Sequence, residues 1–244
     1  MSTPVAGRRA RLNLDHGSWE VVWSHVHRVL VVNLGITVTN APLLLALGMV
    51  HRAWQHPLFF GLLGLGLGPS LAAVFHYLQR TTEDDRVPAA DLFRGYQRLF
   101  TTALLGWAPW VLLVTVAATD VAVLRRTAFG PALVPLLVVA ALVATNSGVV
   151  TMTALADSAR VSPRTLLTTS YASVRRWWLG LLNLTLLGIT VVLVNQAPLL
   201  GLAVLPGCTL FVVWRNSRAM LTAVAPAADL AAGHCHRNSA GVPA

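Results

Sequence analysis

Asparagines and tryptophans occur within long apolar runs of this chain, among them Asn33, Asn40, Asn146, Asn183, Trp107 and Trp110. Amides donate and accept hydrogen bonds, and indoles offer flat apolar faces. Together they suit a pocket at the bilayer midplane for a neutral, polyhydroxylated solute such as a sugar. The same amides serve equally well as interhelical hydrogen bonds, so both readings stand. Ionisable groups point away from chemistry. Asp120 and Asp157 lie at expected span ends and no carboxylate falls at mid-depth, which argues against transport coupled through a buried acid. His76 reads as an interfacial hydrogen-bonding group ahead of a proton relay. His234-Cys235-His236 offers metal-ligand types, but a neighbouring trio does not close a tetrahedral site. No cofactor or metal is expected. Cys208 and Cys235 form no C-x-x-C pair. The H-E-x-x-H and G-x-S-x-G patterns are absent, so no enzyme is expected.

Positioning such groups needs a scaffold, and composition specifies its solvent. Of 244 residues, 55% are hydrophobic and only 11% charged, with mean hydropathy +0.65. Soluble domains carry roughly 25% charged residues. A membrane span needs about 20 apolar residues to cross about 30 Å of hydrocarbon. Six segments meet or approach this: Val29–Val50, Leu58–Gln79, Leu99–Thr119, Ala132–Leu155, Trp177–Ala197 and Pro198–Trp214, the last running on through Met220. None contains Asp, Glu or Arg, each of which costs about 2.5–3.5 kcal/mol at a helix centre. The expected fold is all-α: a polytopic bundle of about six transmembrane helices over residues 29–220. A cytoplasmic segment, 1–28, precedes it and a disordered tail, 221–244, follows.

Charge sets the orientation. The 18 basic residues are all Arg, and the lack of Lys excludes a Schiff-base lysine or a Walker-A loop. With six spans, Arg52, Arg125 and Arg126 fall on one side and every other arginine on the side of both termini. The positive-inside rule then predicts cytoplasmic termini in a bacterial-type plasma membrane. The +9 net charge flanks the spans instead of forming one stripe, so lipid and not nucleic acid is the expected partner. Arg8, Arg9 and Arg11 are followed by Asp15 and Glu20 and not by a short apolar region, which reads as an anchor flank and not an export signal.

Smaller patterns add detail. Ser18–Arg28 alternates apolar and polar residues at helical spacing, predicting an interfacial helix before the first span. Trp177, Trp178, Trp214 and Trp54 sit where an aromatic belt is expected. Gly64-x-x-x-Gly68, followed by Pro69, allows close helix approach within the chain or self-association. Pro42, Pro69, Pro109 and Pro206 are expected to kink spans. Pro88, Leu92 and Tyr96 recur as Pro163, Leu167 and Tyr171, each pattern starting a helix that feeds a span. The first such helix carries Leu92, Phe93, Tyr96, Leu99 and Phe100 on one face and Arg94, Gln97 and Arg98 on the other. It serves either as a segment lying on anionic lipid or as a docking surface; Leu92, Phe93, Tyr96, Phe100, Leu167 and Tyr171 are the docking candidates.

The block from Gly68 to Phe75 and the run Asp91-Leu-Phe-Arg-Gly-Tyr-Gln-Arg-Leu-Phe100 resemble the YesL-like family, integral membrane proteins of unknown function. Asn33 and Pro42 match its first-span pattern, although the interval from Pro42 to Gly68 is longer here. The resemblance implies a membrane protein linked to carbohydrate ABC transporters, with an accessory role and no catalytic residues. The E-A-A-x-x-x-G loop by which a permease engages its ATPase is absent.

Overall fold

The computed structural model describes residues 16–50, 55–83, 87–125, 127, 130–158, 162–196 and 198–223. All regular structure among them is helical: α1 (His16–Thr39), α2 (Ala41–Met49), α3 (Pro57–Gly64), α4 (Leu67–Glu83), α5 (Ala90–Leu124), α6 (Gly130–Ser158), α7 (Pro163–Arg175), α8 (Trp177–Gln196) and α9 (Pro198–Thr222). Four helical segments are long and apolar enough to cross a membrane: Pro57–Glu83, Ala90–Leu124, Gly130–Ser158 and Trp177–Val194. The pair Val26–Thr39 and Ala41–Met49, bent by 67°, makes a fifth if it is one span. The 25-residue α9 returns antiparallel along α8, with Thr190 and Thr209 hydroxyls 2.7 Å apart and Asn216 Nδ2 donating to Asn183 Oδ1 at 3.1 Å. The N-terminal arginines, Trp54, and the tail with its His-Cys-His triplet lie outside the described residues.

Several sequence expectations change shape. Ser18–Arg28 is helical and continuous with the first apolar run, since α1 runs unbroken from His16 to Thr39. The first apolar run breaks at Asn40. Pro42 occupies the first turn of α2, where its missing N–H costs nothing, and the chain re-enters helix in a new direction. The two proline-led loop segments also differ. Leu92 is 6% exposed within α5, which continues straight into its span, whereas Leu167 is 72% exposed on the separate α7. Ser162 caps α7 by accepting from the Arg164 N–H at 3.3 Å. Trp214, expected in an aromatic belt, is instead 1% exposed and belongs to the core. Its neighbour one turn on, Arg218, lies 5.2 Å over the ring and takes the outer position. Trp177 and Trp178 do face outward.

In hydrocarbon, burying apolar surface does not drive helices together, so close contact and hydrogen bonding must hold the bundle. The two most enclosed segments are α4 and the inner half of α6, and both are rich in small residues. Buried positions include Gly68, Ser70, Ala72 and Ala73 on α4, and Asn146 through Thr153 on α6. Between them stands α5, which turns Leu92, Gly95, Leu99, Ala103, Gly106 and Trp107 inward at near-heptad spacing.

Trp107 is the wedge of this core. A Cβ added to Gly68 would lie 2.5 Å from both Cβ and Cγ of Trp107, and one added to Gly148 would lie 2.5 Å from its Cζ3. The indole thus fills the gap that two glycines leave on neighbouring helices. Its Nε1–H donates to the Gly64 carbonyl at 3.0 Å. Pro69 explains why that carbonyl is free. Lacking an N–H, Pro69 gives Leu65 no donor four residues on. The Gly68 N–H turns to the Leu65 carbonyl instead, at 3.4 Å, and the Gly64 carbonyl is left for Trp107. The Gly64-x-x-x-Gly68-Pro69 sequence is therefore a socket for an indole of the same chain.

The two glycines of this pattern are expected to respond differently to substitution. Gly68→Ala should destabilise the protein by about 1–3 kcal/mol through overpacking. Gly64→Ala meets nothing within 4 Å and should change stability by no more than about 0.5 kcal/mol. Thermal unfolding in mild detergent separates the two outcomes.

Candidate functional site

The six residues expected at a midplane pocket are distributed over separate structures. Trp107 and Trp110 line a recess between α3, α5 and α6. The four asparagines do not line it; each is built into a helix–helix contact.

Asn40 and Ser70 join two helix breaks. Asn40 stands at the α1–α2 bend, and its Nδ2 donates to Ser70 Oγ at 2.9 Å and to the Ile36 carbonyl at 3.0 Å. Ser70 Oγ lies 3.0 Å from Thr39 Oγ1 and 2.9 Å from the Gly66 carbonyl, inside the α3–α4 break. Two interruptions that each expose backbone groups are thus placed side by side and satisfy one another. Asn40 Oδ1 is buried without a donor.

Asn33 ties α1 to α9. Its Oδ1 accepts from the Gly207 N–H at 2.6 Å, and both groups are buried. The bond forms just after Pro206, where the regular ladder of α9 is interrupted. Asn146 and Asn183 belong to a third cluster. Asn183 Nδ2 lies 3.5 Å from both Asn146 Oδ1 and Ser217 Oγ, and its Oδ1 accepts from Asn216. This network links α6, α8 and α9. Nearby, Thr151 and Thr169 share a hydroxyl contact of 2.9 Å that fastens α7 to α6. Ser70, Gly207, Ser217 and Asn216 are partners that the sequence reading did not single out. Only the small-residue run Thr145-Asn-Ser-Gly148 hints at such close packing.

The candidate docking residues occupy the base of α5 and α7. Phe93 stacks on Tyr96 with centroids 6.5 Å apart, and Tyr96 meets Phe100 edge-on at 5.6 Å. Phe93 and Phe100 are exposed, as are Leu167 and Tyr171 on α7. Leu92 is the exception, turned inward against Gly35 of α1. Asp91 fixes the start of the ladder: Arg80 Nη1 reaches its Oδ2 at 3.0 Å, and Arg94 Nη1 its Oδ1 at 3.3 Å. These pairs have exposed arginines, so they orient the helix end more than they stabilise it. At the same end, His76 Nδ1 lies 3.3 Å from the Ala156 carbonyl and Arg176 donates to the Ala219 carbonyl at 3.3 Å.

The recess between α3, α5 and α6 has a volume of about 650 Å³ and an almost wholly apolar wall. It extends from Trp107 to Arg125. Trp110 Nε1 is buried with no acceptor. Among the described residues there is no group of three His, Cys, Asp or Glu side chains placed to hold a metal ion.

The buried amides should be unequal in value. Asn33→Ala removes a short, fully buried bond between α1 and α9 and is expected to cost about 1–3 kcal/mol. Asn216→Ala removes a part-buried interhelical bond, worth about 0.6 kcal/mol on average in membranes. Paired unfolding curves in one detergent test this order; equal losses would contradict it. The chain matches no protein-family model, no curated protein and no solved structure.

Proposed function

We propose that this chain is a non-enzymatic plasma-membrane protein of six spans, with both termini cytoplasmic, that works by docking a membrane partner at the base of α5. The observation that carries this reading is the Phe93–Tyr96–Phe100 ladder. Its rings contact one another along the edge of α5, while Leu92, Gly95 and Leu99 supply the inward face. Large aromatic side chains held by their neighbours lose little conformational freedom on binding, which is why they anchor interfaces. Arg94 and Arg98 beside them suit a partner surface or lipid headgroups of acidic character. The partner class, a carbohydrate ABC transporter, comes from the YesL-like resemblance.

Sixfold crossing is supported by α9, which is as long as a span and lies antiparallel to α8. The charge distribution supports the orientation. The alternative, a carrier with a polar midplane site, has less support because Asn33, Asn146 and Asn183 are engaged in helix contacts and the large recess is apolar.

The test is affinity capture from native membranes in gentle detergent, with stoichiometry read by mass spectrometry. A near-equimolar transporter subunit is expected with the unmodified chain. Phe93→Ala combined with Tyr96→Ala should reduce its recovery roughly tenfold or more, with insertion and unfolding temperature nearly unchanged. A protein recovered alone, or a complex indifferent to both substitutions, would contradict the proposal.

A further inference from the structure

The recess between α3, α5 and α6 opens at the end of the bundle opposite Asp91. It adjoins a second hollow of about 550 Å³, the two sharing Pro57, Ala122 and Arg125. Their linings differ. The deep part is apolar, walled by Phe60, Leu67, Val111, Val114 and Leu137. The mouth brings Gln55, His56 and Arg125 together. Arg125 is exposed and has no ion-pair partner among the described residues.

Water does not fill the deep part stably, because an ordered water needs two to four polar partners. The polar groups there are few and scattered: Thr145 Oγ1 already donates to the Ala141 carbonyl, Thr119 Oγ1 at the rim to that of Thr115, and the Trp110 Nε1–H is a lone donor. Hydrocarbon is what this wall matches. The mouth calls for negative charge, since an exposed arginine at a membrane surface attracts anionic headgroups. Length agrees as well. Half the hydrocarbon core is about 15 Å, and α5 rises about 16 Å from Val114 to Arg125. One acyl chain hung from Arg125 therefore ends at the Val111–Val114 turn.

We infer that this recess is a binding site for an anionic phospholipid, with one acyl chain between α3, α5 and α6 and the phosphate at Arg125. His56 and Gln55 line the headgroup space. The α3 wall contributes no buried residue of its own; Gly61 rests directly against Thr115 of α5, which holds the wall in place while the groove beside it stays open. This site is independent of the aromatic ladder at the other end of the bundle.

The test uses the full chain in phosphatidylcholine nanodiscs doped with phosphatidylglycerol that carries a photoreactive diazirine near the end of one acyl chain. After irradiation, crosslinks are mapped by mass spectrometry. They are expected to concentrate around Val111–Ala118 and Leu137–Leu142, above the level on lipid-exposed positions such as Val191 of α8. Arg125→Gln should lower this labelling about fivefold, the weight of one arginine at an anionic surface, and Arg125→Lys should keep most of it. Ala118→Leu, on the recess wall, should lower it with either residue at 125. Three results would overturn the inference: equal labelling by a phosphatidylcholine probe bearing the same chain, labelling indifferent to Arg125→Gln, or displacement of the probe by free fatty acid at equal concentration. Arg125 is exposed, so its variants are expected to fold, which circular dichroism and size exclusion would confirm.

Discussion

A single indole connects three of the long helices. Trp107 projects from α5 into the space that Gly68 on α4 and Gly148 on α6 leave empty, and it hydrogen-bonds a carbonyl that Pro69 leaves unpaired. In lipid, where apolar surface is satisfied on either side of a helix, such close approach is what favours one helix arrangement over another. The large ring supplies dispersion contact over its whole face, and the bond to Gly64 removes the cost of an indole N–H in hydrocarbon. A larger residue at either glycine or a regular helix through residue 65 would remove the seat.

The breaks in α1–α2 and α3–α4 follow from the same constraint. Each interruption frees polar backbone, and each is placed where a side chain from the other satisfies it: Asn40 and Ser70 do this together. Beyond the breaks, α2 and α3 carry no buried residue. Most of the buried positions on α4 and α6 thus fall in the half of the bundle nearer Asp91. In the other half, α3 meets α5 at Gly61 and, at its inner end, through the Gly64 carbonyl that Trp107 holds, and the long apolar recess remains. Small residues contribute to this dense end: Gly68, Ser70, Ala72 and Ala73 on α4 and Ser147, Gly148, Thr151 and Thr153 on α6 are all buried there.

The long apolar segments were legible in the sequence because charged residues are absent from them, and an absence of charge is a position-by-position signal. The direction of each segment was less so. Pro42 reads as an in-span kink, yet it opens a new helix after a 67° turn, because the bend depends on Asn40 finding Ser70 across the bundle. Gly64 and Gly68 signalled close approach, but nothing in their spacing pointed to Trp107, which lies on another helix. The amides posed the same problem. Asn33 lies opposite Gly207, and a lone glycine in an apolar run carries no sign of an available N–H. Leu92 and Leu167 hold matching places in a sequence pattern and have opposite burial. One is carried inward by a helix continuous with its span, the other sits on a short helix that ends at Arg175. Local pattern sets helix phase; the neighbour across the interface sets burial.

The central claim is most directly tested by magic-angle-spinning NMR on protein in lipid, labelled with ¹⁵N in the tryptophan indoles and ¹³C in the glycine carbonyls. A dipolar dephasing experiment then reads the distance from Trp107 Nε1 to the Gly64 carbonyl. The expected result is strong dephasing from a hydrogen-bonded pair with N···O near 3.0 Å, lost on Trp107→Phe. An indole signal at Trp107 with no dephasing from any glycine carbonyl would show that the socket is empty, and would contradict the account of how this bundle is held together.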